Sequence, residues 1–106
     1  MIEWKSAFHL LEWSLVVDRL DELLVLTTIL DAGSLAAAAR RLRRSPPAMT
    51  RSLAALEARV GARLVQRTAR RLTPTAAGRR LASCARQLLA DYEQATRTEK
   101  RSKMRP

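Results

Sequence analysis

The chain has 106 residues, which is enough for one small domain and too few for a large enzyme fold. Hydrophobic residues make up 47% of it and aromatic residues only 4%, and the abundance of Ala, Leu and Arg favours a mainly helical protein. A single cysteine excludes an internal disulfide framework, and no apolar run reaches the roughly 18 residues that span a bilayer.

Positive charge is concentrated in one part of the chain. Residues 34–80 contain 12 arginines and one acidic residue, Glu57, whereas the rest of the chain carries 8 basic and 9 acidic residues. The formal net charge of +10 therefore comes from this segment, which indicates a polyanionic partner, nucleic acid before an acidic membrane surface. A genomic bias towards arginine on a solvated surface would explain the preference for Arg over Lys, but it would not explain the missing acids.

Residues 1–17 form an atypical N-terminal extension. Large apolar residues recur there at helical spacing: Trp4, Phe8, Leu11 and Leu15. Three explanations stay open: an additional core element, a partner-binding helix, and translation from an upstream start codon. The core element and the start codon are favoured over the partner-binding helix. Asp18 is then the predicted N-cap of a first helix, which Gly33 ends.

Two helices joined by a tight connection follow. Ser34 is the predicted N-cap of a short helix with one apolar stripe, and Ser45 is the predicted N-cap of the next. Consecutive prolines break a helix interior but are tolerated in the first turn, where N–H groups lack intrahelical partners, so Pro46 and Pro47 mark a helix start. Gly61 is the predicted C-cap of this third helix.

The third helix has two separate faces. One is aliphatic and is expected to pack inward: Met49, Leu53, Leu56 and Val60. The other is small near its start and carries one long hydrogen-bond donor: Pro47, Thr50, Arg51 and Ala54. This arrangement predicts a helix-turn-helix over residues 35–54, whose second helix presents its first turn, dipole and free N–H groups to DNA. Helical hairpins unrelated to DNA share the spacing, and the arginine-rich segment favours DNA.

A hairpin and a long helix complete the pattern. Residues 63–74 hold an apolar pair, Leu64 and Val65, then polar and basic residues, then Leu72 and Thr73 before Pro74, a pattern that suits a two-stranded wing better than a helix. Thr75 is the predicted cap of a last helix over residues 76–96. One face of that helix is apolar: Leu81, Ala85, Leu88, Leu89 and Tyr92. Residues 97–106 are polar and basic and are predicted to be disordered.

Several short motifs occur in order within residues 33–78: Gly-Ser, Ala-Ala, Ser-x-Pro-Ala-x-Thr-Arg, Leu-Glu, Leu-x-x-Arg-Thr-x-Arg and Thr-x-Ala-Gly. With them the chain resembles the N-terminal domain of LysR-type bacterial transcriptional regulators, over residues 20 to about 92. The resemblance implies a mainly α fold, a winged helix-turn-helix over residues 18–75 followed by a linker helix that pairs two subunits.

Carried over position by position, the resemblance implies two sets of functional residues. At double-stranded DNA it places Ser34, Ser45, Pro46, Pro47, Thr50 and Arg51, and at the wing Arg67, Thr68 and Arg70. At a homodimer interface it places Leu81, Ala85, Leu88, Leu89 and Tyr92. Pro46 replaces a glutamine common in the family, so contact with a thymine methyl or simple positioning must replace adenine recognition. Pro74 replaces an aliphatic residue and is expected to shorten the second strand.

Members of this family normally continue into an effector-sensing domain, and the sequence ends before one, so no small-molecule effector site is expected in it. No cofactor, metal or membrane partner is expected either, because one cysteine and one histidine, His9, supply too few metal ligands. No Ser-His-Asp set, carboxylate pair or glycine-rich loop indicates an enzyme.

Cys84 is predicted to be a small buried thiol in a protein of the reducing cytoplasm, and Glu57 is expected to pair with Arg59 or Arg63.

The predicted function is transcription regulation by a dimer that binds double-stranded DNA sequence-specifically. Two other classes stay open. One is an interaction module that pairs with full-length relatives through its last helix and blocks them. The other is a nonspecific basic binder of RNA or membrane, although the scarcity of aromatic residues in the basic segment argues against stacking on single strands.

Overall fold

The computed structural model describes the backbone of residues 3–104 and the side chains of residues 15–103. Four helices and one two-stranded antiparallel sheet follow in chain order: α1 (Glu3–Ala32), α2 (Leu35–Leu42), α3 (Pro46–Val60), β1 (Val65–Arg67), β2 (Leu72–Pro74) and α4 (Ala76–Met104). The predicted mainly helical fold with a small wing is confirmed. None of the helices described in residues 3–104 combines the length and the hydropathy of a membrane span.

Helix α1 is longer than the sequence pattern predicted. Asp18 is not its N-cap, because the helix runs without interruption from Glu3 to Ala32. Residues 3–17 contain neither glycine nor proline, so nothing in them stops a helix. Of the predicted apolar stripe in the extension, Leu15 is exposed, and the side chains of the other three members lie outside the described residues.

Helices α2 and α3 begin and end through local capping. The Ser34 hydroxyl accepts a hydrogen bond from the Ala37 N–H, and the Ser45 hydroxyl accepts one from the Ala48 N–H. Prolines occupy the first two positions of α3, as predicted, and Gly61 ends it in the left-handed conformation with φ of 78°. The connection between the two helices is tight because the chain turns at Arg43, just after α2, where φ is 55°.

One apolar core joins the helices to the wing. Its largest fully buried side chains come from α1, α3 and the segment before β1: Val25, Leu26, Ile29, Met49 and Leu64. Each such side chain contributes about 1.5–3 kcal/mol relative to full exposure. Val60, predicted to face inward, is instead 48% exposed, because it is the last residue of α3 and lies one turn beyond the buried Leu56.

The wing is a short hairpin in which Gln66 lies opposite Thr73 and Val65 lies opposite Pro74. Pro74 does not make β2 shorter than β1, since each strand has three residues. It is the last residue of a two-stranded sheet, where a missing N–H group is tolerated.

Helix α4 starts at the predicted cap and extends past its predicted end. The Thr75 hydroxyl accepts a hydrogen bond from the Gly78 N–H at 3.0 Å. Residues 97–104 are helical and not disordered, because polar residues such as Glu93 and Arg97, which form an i,i+4 pair, prevent a core but not a helix. Cys84 is exposed and not buried, since Ala82 and Ala85 form the buried face of this helix.

Candidate nucleic-acid interface

The first turn of α3 lies at the protein surface. The side chains predicted to face outward are all exposed: Pro47, Thr50, Arg51 and Ala54, together with Ser45 and Pro46. Met49 lies between them in sequence and is fully buried. The buried side of α3 therefore anchors the helix in the core, and the opposite side is available to a partner.

The first turn of α3 offers no free backbone donor within residues 46–49, all of which the structure describes. Pro46 and Pro47 have no N–H group. The Ala48 N–H donates to the Ser45 hydroxyl at 3.2 Å, and the Met49 N–H donates to the Ser45 carbonyl at 3.1 Å. The prediction that free N–H groups at this helix end bind DNA is therefore wrong, because the prolines and the cap consume them.

Arg51 is the long cationic side chain on the exposed side of α3. From Pro46 to Ala58, the other exposed residues of the helix are small or apolar. Arg51 lines a shallow groove with Asp18, Asp21 and Glu22 of α1, but it forms no ion pair with any described residue. Its guanidinium is thus available at the flank of the helix.

Two ion pairs that the sequence did not predict hold the ends of α3 against α1. At the start of α3, Arg44 donates two hydrogen bonds to the Asp21 carboxylate, at 2.6 and 2.7 Å. The hydrogen bond to Asp21 raises the pKa of the Arg44 guanidinium, as expected for a cation beside a carboxylate. At the other end Arg59 donates to the buried Glu22. Both guanidinium groups are therefore already paired with carboxylates of α1.

Glu57 connects α3 to the wing. Its carboxylate accepts hydrogen bonds from the Leu64 N–H at 2.8 Å and the Val65 N–H at 3.3 Å. It pairs with neither Arg59 nor Arg63, so the predicted ion pair is wrong. The physical reason is that Leu64 and Val65 are buried, and their N–H groups need an acceptor where the chain enters β1.

The wing presents its predicted residues at its tip. Arg67 and Arg70 are exposed, and Thr68 lies between them. The Thr68 hydroxyl donates to the Arg71 carbonyl at 2.8 Å and accepts from the Arg71 N–H at 3.2 Å. It therefore closes the turn from which the two arginines project.

The wing is also tied to the turn between α1 and α2. The Leu72 N–H donates to the Gly33 carbonyl at 3.0 Å, and the Arg71 guanidinium lies over Gly33, 3.1 Å from the position a Cβ would take there. Sequence reasoning gave no role to Arg71, whose position depends on this long-range contact.

A cleft between the wing and the start of α3 brings residues of both predicted elements together. It is lined by Ser34, Pro46, Arg67, Thr68, Arg70 and Arg71, among others. Thr50 and Arg67 line an adjoining depression. Arg51 lies on the other flank of α3, so the predicted residues form a surface around the end of α3 that is wider than a single pocket.

A second surface lies between α1 and α4. Exposed Leu88 and Tyr92, with Leu89, line an apolar groove with residues of α1: Val16, Val17, Leu20 and Leu24. Ala85 is buried in its own subunit and Leu81 packs against its own core. Ala85 is thus covered within its own subunit, whereas Leu81 is only half-buried and stays a predicted interface residue.

Comparison with known proteins agrees with this geometry. Residues 20–79 match the bacterial regulatory helix-turn-helix proteins of the lysR family. The chain belongs to this family. It is 44% identical over 69 residues to the HTH-type transcriptional regulator TfdT of Cupriavidus pinatubonensis. This match covers 65% of this chain and 30% of that protein. It is 43% identical over 67 residues to the nitrogen assimilation regulatory protein nac of Escherichia coli, covering 63% and 22%.

Solved structures of the family show the same fold. A complex of the CbnR DNA-binding domain with DNA has a TM-score of 0.66 and 39% identity, over 79% of this chain and 93% of that one. A complex of the BenM DNA-binding domain with benA site 1 DNA has a TM-score of 0.73 and 27% identity, over 77% and 95%. The chain spans 21% to 30% of the length of the curated relatives TcbR and TfdT.

Proposed function

We propose that the chain binds double-stranded DNA sequence-specifically and regulates transcription as a homodimer of a LysR-type DNA-binding domain. The observation that carries the proposal is the exposed first turn of α3 beside the wing arginines, on the acid-poor segment of the chain. Two similar structures are domains in complex with DNA. The proposed role is binding and not catalysis, in the cytoplasm, where bacterial DNA lies.

In the proposed mechanism, α3 supplies base specificity, and the wing and the summed positive charge supply affinity for the DNA backbone. The first turn of α3 enters the major groove, where side chains reach base edges. Arg51 can donate two hydrogen bonds to guanine O6 and N7, which no other exposed side chain of α3 between Pro46 and Ala58 can do. The wing residues Arg67 and Arg70 lie against the phosphates and fix the register, while the summed charge supplies sequence-independent affinity.

An Arg51→Ala variant tests this assignment. Duplexes enriched from a randomised library by the unmodified chain serve as specific sites, and scrambled duplexes serve as nonspecific ones. We expect the variant to lose about 1–3 kcal/mol of specific affinity and to tolerate every base at one position of the site. The matched control, Arg67→Ala, should weaken binding to all duplexes alike and reduce the slope of log K against log salt by about one. Equal weakening of all duplexes by Arg51→Ala would contradict its assignment to a base.

The apolar groove between α1 and α4 supports the homodimer. Leu88 is 47% exposed and Tyr92 is 65% exposed, in a groove whose other lining residues are aliphatic except for Asp21 and Asp91 at its edge. Contiguous apolar surface of this kind marks an interaction site on a water-exposed protein. Pairing of two such surfaces would set two α3 helices in major grooves about 34 Å apart on a near-palindromic site.

A Leu88→Glu variant tests the homodimer. A carboxylate in the groove would be desolvated by the second subunit, so we expect the dimer dissociation constant to rise about 30-fold or more, measured by sedimentation. The control is Ala90→Glu, at an exposed position of α4 outside the groove. An unchanged dissociation constant in Leu88→Glu would exclude the groove. Chains that form dimers only with a full-length relative, and bind no DNA alone, would support a blocking module instead.

A further inference from the structure

The backbone of Arg71 is fixed from both sides at the base of the wing. Its N–H group donates to the Thr68 hydroxyl at 3.2 Å, and its carbonyl accepts from the Thr68 N–H at 3.0 Å and from the Thr68 hydroxyl at 2.8 Å. The next residue, Leu72, is buried, and its N–H group donates to the Gly33 carbonyl. The point at which the Arg71 side chain leaves the wing is therefore well defined.

The guanidinium group of Arg71 rests on Gly33. Its Nη2, Nε and Cζ atoms lie 3.1, 3.5 and 3.6 Å from the position that a Cβ would take at Gly33. Three atoms of the planar group are thus in contact distance of one point, and any side chain there would press on them. Gly33 is buried and has φ of 77°, a conformation that also favours glycine.

The hydrogen-bond donors of this guanidinium group are unused. Among the described residues, none forms a hydrogen bond or an ion pair with its nitrogen atoms, whereas Arg44, Arg59 and Arg86 are each paired with a carboxylate. The cleft that it lines also contains Ser34, Arg67, Thr68 and Arg70. The structure describes every residue that lines this cleft, and none of them is acidic. A fixed guanidinium group with free donors in such surroundings is suited to an anion that accepts hydrogen bonds.

The geometry points to a further DNA contact: Arg71 binds a phosphate of the DNA backbone, in an orientation that Gly33 sets before DNA binds. The inference rests on the proposed function and adds a phosphate contact between the wing and the start of α3. A guanidinium group binds phosphate oxygens through two parallel hydrogen bonds, which require a defined orientation. A side chain that is already held in place loses less conformational entropy on binding than a mobile one.

Methylphosphonate duplexes test the contact at each phosphate. Duplexes enriched from a randomised library by the full chain are made again with one methylphosphonate linkage, which removes one backbone charge, at each position of a half-site in turn. The unmodified chain should lose affinity at several linkages. Arg71→Ala should bind native duplexes about 10-fold more weakly and should be insensitive at one of these linkages. Arg67→Ala should be insensitive at a different one.

Salt dependence separates a phosphate contact from a structural role in the wing. For Arg71→Ala, the slope of log K against log salt should fall by about one for each bound subunit. Arg71→Lys keeps the charge and the slope, but its affinity should fall about threefold, because an ammonium group neither lies flat on Gly33 nor forms two parallel hydrogen bonds. The control Arg97→Ala removes an exposed arginine of α4 outside the cleft and should change neither quantity.

Gly33→Ala tests the support under the guanidinium group. The added Cβ displaces this group, so we expect binding to weaken about threefold in the unmodified chain and not to change in an Arg71→Ala background. A left-handed alanine also destabilises the chain, so binding is measured at a temperature at which circular dichroism shows every variant folded. Equal weakening in both backgrounds would show that Gly33 does not act through Arg71, and would overturn its part in the inference.

The outcomes for Arg71→Ala separate the inference from the function on which it rests. Weaker binding with an unchanged salt slope, and with sensitivity kept at every linkage, would show that Arg71 only positions the wing and would overturn the inference. Unchanged affinity would overturn it too. In both cases the enriched sites remain, and the proposed function stands. A library from which no sequence is enriched would overturn the proposed function, and the inference with it.

Discussion

A Gly78→Ala variant is expected to lose about 3 kcal/mol of unfolding free energy and to melt more than about 10 °C below the unmodified chain. A Cβ at Gly78 would lie 1.9 Å from the Leu64 carbonyl oxygen and 2.9 Å from its carbonyl carbon. Both are backbone atoms that cannot rotate away, so α4 and the start of the wing must separate. The higher helix propensity of alanine, about 1 kcal/mol, opposes this loss but is too small to offset it.

Gly61→Ala is the matched control for Gly78→Ala. Gly61 has φ of 78°, but a Cβ there would meet no atom within 4 Å. Its replacement should therefore cost only the strain of a left-handed alanine, about 1–2 kcal/mol. Thermal and urea unfolding of the two variants would separate steric from conformational cost. A Gly78→Ala variant at least as stable as the unmodified chain would show that helix propensity outweighs the contact.

The contact at Gly78 gives a physical reason for the Thr-x-Ala-Gly motif. The Thr75 N–H donates to the Leu64 carbonyl at 3.1 Å, and the Thr75 hydroxyl donates to the Arg63 carbonyl at 2.7 Å. The same hydroxyl accepts from the Gly78 N–H, so the first turn of α4 is fastened to the chain that enters β1. Gly78 permits the close approach that these bonds require.

Local rules predicted the elements whose signals lie within a few residues. Ser34, Ser45, Thr75 and Gly61 were identified as caps because a cap and its helix are neighbours in sequence. The same rules placed Asp18 at a helix start that does not exist. A potential cap residue inside a run without glycine or proline does not interrupt a helix, because the N–H groups that follow it already have intrahelical partners.

Interactions between distant residues could not be predicted from these patterns. Arg44 bonds to a residue 23 positions away, and Arg59 to one 37 positions away. In the sequence they are indistinguishable from the arginines of the wing tip, and only folding shows which guanidinium groups are already paired. The exposed side of α3 was predictable because its period of 3.6 residues fixes it relative to Met49 and Leu56.

Glu57→Ala is expected to reduce both stability and DNA binding. The variant leaves the N–H groups of buried Leu64 and Val65 without their acceptor, which should cost about 2–3 kcal/mol of unfolding free energy. Glu57→Gln keeps an acceptor oxygen and loses only the charge, so about 1 kcal/mol is expected. Hydrogen exchange at the Leu64 and Val65 amides should be faster in Glu57→Gln than in the unmodified chain, and fastest in Glu57→Ala. The control Glu93→Ala removes an exposed carboxylate and should cost about 0.3–0.5 kcal/mol.

The binding measurement separates two roles for Glu57 because they predict opposite signs. Removing a negative charge from the basic segment would by itself strengthen binding to phosphate on every duplex. Displacing the wing would weaken binding to every duplex, since Arg67 and Arg70 would lose their register on the phosphates. The base preference set by α3 would be unchanged. We expect Glu57→Ala to bind enriched and scrambled duplexes more weakly to the same degree, and Glu57→Gln to lie between it and the unmodified chain. Tighter binding by both variants would show that Glu57 acts through its charge and not through the position of the wing.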